Sequence, residues 1–337
     1  MDIREAIDAV VSGNDLPMDD AATVMRQIMS GEATQAQLGS FLTALRLKGE
    51  STEEIAGMAT VMREFSLRVN VDGMLVDSVG TGGDGLGTFN ISTAAALVAA
   101  GAGLKVAKHG NRAASGNCGS ADVLEELGVR IELPPEGVER CIRESGIGFM
   151  FAQAFHPSMR HAGPVRREIG IRTVFNILGP LTNPAGAQSM LVGVAFPGLG
   201  EKMVEVLRLL ETHHSLVVHG DGGLDEMTLS GDTSVWEVSD GKVSNWTLSV
   251  ADTGLPVTPI KAARGGDKVV NAEMMRELLG GAGGPVRDYV LLNSAGTLLV
   301  GDLVSNIRDG VQLAAQTIDS GAAKDRLESM IEVSQVG

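Results

Sequence analysis

The chain has 337 residues, 44% of them hydrophobic and 20% charged, with 42 acidic residues against 27 basic ones and a formal net charge of -15. That length is too great for one simple core and predicts a large domain with a smaller companion. So acidic a surface repels DNA, RNA and anionic lipid at long range, and aromatics at 3% leave little on which bases could stack, which speaks against nucleic-acid or membrane-surface binding.

The amino terminus, Met1-Asp2-Ile3-Arg4-Glu5, reads as the start of an amphipathic helix and not as a signal peptide. Residues 1–68 show only helical periodicity. Ile3, Ala6, Ile7 and Val10 form one apolar stripe, and Val24, Met25, Ile28 and Met29 a second. Leu38, Phe41, Leu42 and Leu45 form a third, and Ile55, Met58, Ala59 and Met62 a fourth. Thr34 with Gln37 and Ser51 with Glu54 have capping-box spacing. Gly31 and Gly49 sit where helices stop.

The pattern then changes to strands alternating with helices. Strands are expected at 75–79, 104–107, 129–133, 147–151, 189–195 and 215–218, with helices from about Ser92, from about Ser120, over 136–145 and over 199–212. Val235–Val238 and Val243–Leu248 flank Asp240-Gly241 and predict a hairpin. From about 272 onward the chain reads as helical again. The expected fold class is α/β: a small N-terminal helical domain (1–68) and a large α/β domain (69–337) whose mostly parallel central sheet is covered by helices. Helices around 156–185 are candidates to pack with the N-terminal domain. Cys118 and Cys141 are too few for a disulfide framework, which suits a reducing, cytoplasmic location. No apolar run is long enough to cross a bilayer.

Ligands of such sheets bind at the carboxyl ends of the strands, and the glycine-rich segments fall there. Gly80-Thr81-Gly82-Gly83-Asp84-Gly85 follows the first strand. It contains G-x-G-x-x-G, but the next helix opens later, near Ser92, and the second strand runs into Lys108 where a dinucleotide fold wants an acid. A phosphate cradle of bare backbone N–H groups explains the glycines better. Asn90-Ile91-Ser92-Thr93 opens an Ala-rich helix, where capping and anion binding use the same N–H groups, and the Ser92 hydroxyl suits a hard cation. Lys108-His109-Gly110-Asn111-Arg112 is expected as a loop after the second strand, placing two cations beside the first loop. His109 is not assigned a catalytic role, because a lone loop histidine is more often structural. Asp225-Glu226, on a glycine turn, is a candidate magnesium site. One of Arg160, Arg166, Arg167 and Arg172 is expected to fork a substrate carboxylate, and spacing does not choose among them.

Six ordered motifs, GTGGD at 80–84, NIST at 90–93, KHGNR at 108–112, GSADVLE at 119–125, RTVFNILGPLTNP at 172–184 and GLDE at 223–226, resemble the anthranilate phosphoribosyltransferase family over nearly the whole chain. The resemblance implies transfer of phosphoribose from 5-phospho-α-D-ribose 1-diphosphate to the amine of anthranilate, in tryptophan biosynthesis, by a cytoplasmic homodimer using magnesium, with two ions per subunit. No residue is implied as an obligatory acid or base. Gly80, Gly83, Asp84, Thr88, Asn90, Ile91, Ser92 and Thr93 would line the sugar diphosphate. Lys108, His109, Gly110, Asn111, Arg112, Ala113, Ala114, Ser115 and Gly116 would form a mobile loop over it, with Ser120 beyond. Ser92, Asp225 and Glu226 would ligate magnesium, and Gly80, Asn111 and Arg166 would meet anthranilate. The family often has two serines at 115–116, where this chain has Ser115-Gly116; a hydroxyl is lost there, but the N–H stays. Two rivals remain, a nucleoside phosphorylase of the same fold and a non-catalytic nucleic-acid-binding relative. KHGNR speaks against the first and the net charge against the second.

Overall fold

A computed structural model describes residues 1–113 and 118–336. The chain opens with four helices, Ile3–Val11, Met18–Ser30, Gln35–Lys48 and Thr52–Glu64. Asp2, Thr34 and Ser51 cap three of them through reciprocal bonds with Glu5, Gln37 and Glu54, each cap contributing about 1 kcal/mol. Gly31 ends the second helix at a φ of 80°, which a residue without Cβ tolerates. Of the four apolar stripes, only Ile7 stays partly exposed.

Seven strands form one sheet: β1 (Val76–Gly80), β2 (Val106–Gly110), β3 (Ile147–Phe151), β4 (Ser189–Gly193), β5 (His214–Gly220), β6 (Thr233–Ser239) and β7 (Lys242–Leu248). Their order is β3-β2-β1-β4-β5-β6-β7. The first five run parallel, and β6 and β7 add an antiparallel hairpin. Asp240 and Gly241 take positive φ in the two-residue turn between them, the twist such hairpins favour. Helices cover both faces, as an α/β alternation requires.

The segment 129–133 makes no strand. Val129, Ile131 and Leu133 are buried in alternation, so the period-two signal is real. Its cause is packing beneath the last helix, Ala322–Gln335, where Arg130 N–H donates to Ser334 Oγ at 3.0 Å. Pro134 and Pro135 follow at once and open the next helix, leaving no room for a ladder.

Two apolar cores lie on opposite faces of the sheet. One joins the Ile91–Gly101 helix to the carboxyl-terminal helices. The other is continuous from the four N-terminal helices to Ala107, Met150, Met190, Val192 and Val217 on the sheet. Helices Met159–Ile169 and Phe175–Leu181 pack on the N-terminal ones and contribute Ala162, Val165 and Leu178 to that core. Between β1 and β4 the chain direction across the sheet reverses, because β2 and β3 lie to one side of β1 and β4 and β5 to the other. Such a switch point leaves a crevice at the strand ends. Gly80 and Gly193 are the facing pair there.

Candidate active site

Both glycines at the switch point are bare because another segment sits on them. A Cβ on Gly80 would lie 2.5 Å from Asp225 Oδ2, and one on Gly193 would lie 1.6 Å from the Asp225 carbonyl oxygen. The turn after β5 thus lays Asp225 across the ends of β1 and β4. The glycine run folds back to meet it. Gly82 and Gly83 take φ values of 68° and 83°, a turn L side chains resist, and Gly82 N–H donates to Asp225 Oδ2 at 2.6 Å. Glu226 reaches the neighbouring helix, where its Oε1 accepts from Ser92 N–H at 3.2 Å. A carboxylate at a helix amino terminus is favoured by the dipole and the unpaired amides.

This arrangement concentrates negative charge on half-buried side chains. Burial, and then the charge of Asp84, pushes Asp225 up to about 7. Burial, and then Asp225, pushes Glu226 up to about 8, although Lys108 opposes this. Asp84 Oδ1 accepts from Leu86 N–H at 3.1 Å, while its Oδ2 is buried without a hydrogen-bond partner among the described residues. Crowded, desolvated carboxylates and an orphaned carboxylate oxygen fit a hard divalent cation. Among the described residues no three acidic, histidine or cysteine side chains are already gathered around one point. Such an ion characteristically takes one or two carboxylates and completes its shell with water and phosphate oxygens.

Lys108, His109 and Gly110 are not loop residues. They form the end of β2, which continues through polar residues because their side chains point into buried polar surroundings. Lys108 is 2% exposed, and its Nζ donates to Ser78 O at 2.7 Å. Burial pushes its ammonium down, while Asp77 and Glu226 hold it up. It is the buried countercharge of the site, not a cation reaching from a lid. Asp77, fully buried on β1, accepts from Asn183 Nδ2 at 2.8 Å and is raised to about 6, mainly by burial. His109 packs against His156 with ring centroids 5.1 Å apart. Burial, and then His156, pushes it down to about 3. Its imidazole is therefore neutral at physiological pH.

Past β2, Arg112 pairs with Asp122 at 2.9 Å and Glu125 at 2.8 Å. It is committed to these carboxylates and raised chiefly by Glu125. Asp122 also accepts from Ala113 N–H at 3.0 Å and Gly119 N–H at 2.9 Å, tying together the two sides of segment 114–117. Ala114, Ser115 and Gly116 lie outside the described residues. Asn111 O accepts from Ser120 Oγ at 3.3 Å. The side chains of Ile91 and Thr93 are buried in the core, so only their backbone can face a ligand. Thr88 bridges to Arg264 beside the site. Among the four candidate arginines, Arg172 touches the glycine turn, donating to Gly82 O at 3.4 Å. Arg166 stacks its guanidinium 5.0 Å over the Phe175 ring, partly desolvated and without an ion pair among the described residues. Within those residues no hydrogen bond joins it to Gly80 or Asn111. Asp77 and Asn271, which no sequence motif contains, carry site architecture, as do Asp122 and Asn183, which stand within motifs without a role read for them.

A family model described as glycosyl transferase family, helical bundle domain, matches residues 4–66, and one described as glycosyl transferase family, a/b domain, matches residues 72–324. The chain is 59% identical over 337 residues to the anthranilate phosphoribosyltransferase of Chloroflexus aurantiacus, covering 99% of each. It is 54% identical over 335 residues to that of Dehalococcoides mccartyi, covering 99% of this chain and 98% of the relative. In structure it is similar to the anthranilate phosphoribosyltransferase of Thermus thermophilus, with TM-score 0.93, 45% identity and 98% and 99% coverage. The Saccharomyces cerevisiae enzyme, solved in complex with PRPP and Mg, gives TM-score 0.92 at 29% identity, with 99% and 98% coverage. The chain belongs to the glycosyl transferase family, and within it to the anthranilate phosphoribosyltransferases.

Proposed function

We infer that the chain transfers the phosphoribosyl group of 5-phospho-α-D-ribose 1-diphosphate to the amine of anthranilate and releases diphosphate. The observation that carries this reading is the seat of Asp225 and Glu226 across the ends of β1 and β4, joined by hydrogen bonds to the glycine turn and to the Ile91–Gly101 helix. Amide donors for phosphoryl oxygens and carboxylates for a cation thereby meet at one place.

Gly80, Gly83, Asp84, Thr88, the Asn90 side chain and the backbone of 91–93 line the sugar diphosphate, with Asn111 and Ser120 at the far rim. Turn and helix amides stabilise charge gathering on the leaving diphosphate, an effect that is largest where the donors are already oriented. Asp225, Glu226 and the Ser92 hydroxyl would hold magnesium, which would supply further neutralisation of that leaving group. Lys108 limits the repulsion between Glu226 and its neighbours. The amine of anthranilate attacks C1 from the face opposite the diphosphate, with inversion. An aromatic amine is neutral at pH 7, so the chain contributes positioning and charge instead of a strong base. Arg166 faces the carboxylate of anthranilate; its lack of an ion pair among the described residues and its seat over Phe175 support this. We extend the proposal to two magnesium ions per subunit, a homodimer, a cytoplasmic location and a division of the chain at 68/69. The change from helices alone to alternating strands supports the division, and the resemblance supports the rest.

Anthranilate fluorescence tests the reaction. It falls in proportion to enzyme when phosphoribosyl diphosphate and magnesium are added together, and not with either alone. No fall, with phosphorolysis of thymidine or uridine instead, would establish the rival.

A further inference from the structure

The helix Lys268–Leu279 carries a buried amide that none of the site motifs contains. Asn271 is 1% exposed, and a buried amide must find partners for both its oxygen and its nitrogen. Its Oδ1 accepts from Gly266 N–H at 2.7 Å, and its Nδ2 donates to Asn90 Oδ1 at 2.8 Å. Asn90 Nδ2 in turn donates to Cys118 O at 3.1 Å. The two ends of this relay are backbone groups, an N–H that can only donate and a C=O that can only accept. The direction of every bond between them is therefore determined, and neither amide can turn over without creating an oxygen–oxygen or nitrogen–nitrogen contact.

The surroundings hold the relay in place. Gly265 N–H donates to Gly87 O at 3.0 Å and Phe89 N–H to Ala263 O at 2.9 Å, so residues 263–266 are zipped against 87–89. Gly265 is bare because a Cβ there would lie 2.7 Å from Asn271 Oδ1 and 3.0 Å from Phe89 Cα. Asn90 stands immediately before the helix whose Ser92 N–H meets Glu226.

We propose that Asn271 is a positioning residue for the transfer reaction: it occupies the oxygen of Asn90, so that Asn90 can offer the sugar diphosphate only N–H. This rests on the reading of Asn90 as a contact of that substrate. An Asn90 turned the other way would bring a carbonyl oxygen toward an anion. Asn271 does not touch the reacting atoms; it acts through Asn90.

Asn271→Asp is the discriminating variant, because an ionised Asp keeps the shape and loses the donor, while a protonated Asp regains an O–H donor in the same place. At pH 8 the KM for phosphoribosyl diphosphate rises about tenfold, the scale of a lost oriented hydrogen bond to a charged group, and the KM for anthranilate stays within about twofold. As pH falls toward 5.5, the ratio of variant to wild-type KM returns toward one, since burial raises the new carboxyl group into that range. A ratio that ignores pH, or two KM values that rise together, would overturn the proposal. If Asn271→Asp does not fold, Asn271→Ala is read instead, with a rise in the KM for phosphoribosyl diphosphate that spares anthranilate and does not depend on pH; a KM within twofold of wild type at pH 8 would count against the relay. An inactive wild-type protein would strike at the assigned reaction instead.

Discussion

Gly193 and Asp225 approach so closely that the smallest side chain on Gly193 would overlap the Asp225 carbonyl oxygen, at 1.6 Å. The end of β4 therefore sets the height of the acidic turn over the switch point. Gly193→Ala must lift that turn, and a misplacement of about 1 Å at a catalytic site can cost about a hundredfold. Steady-state kinetics on the folded variant should show kcat/KM lowered by about that factor, and Gly80→Ala should behave alike because its Cβ would meet the Asp225 carboxylate. Full activity in both variants would mean that the turn has no fixed seat.

The acidic turn also gives stability a sign with pH. Asp225 and Glu226 rise from ordinary values of 3.8 and 4.5 to about 7 and about 8. Between the ordinary and raised values the folded chain binds more protons than the unfolded one, so stability falls as pH rises. Thermal midpoints of the metal-free protein should therefore decline from pH 6.5 to pH 8, above the range in which His109 and His156, held neutral by burial, add stability as pH rises. Millimolar magnesium should flatten the decline, and Glu226→Gln should remove much of it while abolishing turnover. A metal-free midpoint that climbs over this range would contradict the assignment.

Lys108 offers a test of buried charge. Its ammonium lies between Asp77 and Glu226 and donates to Ser78 O. Lys108→Met leaves carboxylates without their countercharge, which should destabilise the fold by about 3 kcal/mol. Adding Asp77→Asn should restore part of the loss, because the two positions are coupled. Urea denaturation of the single and double variants measures both terms, and strictly additive losses would separate the pair.

Arg166 is the proposed contact for the carboxylate of anthranilate, and Arg172 is its rival. Arg166→Ala is expected to raise the anthranilate KM more than that of phosphoribosyl diphosphate. Arg172 lines a cavity of about 270 Å³ with Arg46, Asn176, Phe196 and Lys202. If Arg172→Ala alone raised the anthranilate KM, the carboxylate would belong in that cavity.

Local features were legible from sequence because their causes are local. Thr34 with Gln37 and Ser51 with Glu54 pair as their spacing predicts, and the strand-end glycines fell where the switch point lies. Lys108 and His109 were read as loop because polar residues normally mark solvent; here they extend β2 into buried polar surroundings. Val129–Leu133 was read as a strand because alternation reports which side is buried, not what the backbone bonds to. For another reason, Asn271 stands in no motif and Asn183 stands in one without a readable role. Their partners Asn90 and Asp77 lie 181 and 106 residues away, and no periodicity encodes a contact of that separation.

Calorimetric titration of phosphoribosyl diphosphate into the wild-type chain and into Asp225→Asn/Glu226→Gln, with and without magnesium, bears most directly on the acidic turn. The wild type should bind tightly only when magnesium is present, and the double variant should lose that gain. Equal affinity in all four titrations would show that the carboxylates over the strand ends take no part in holding the substrate.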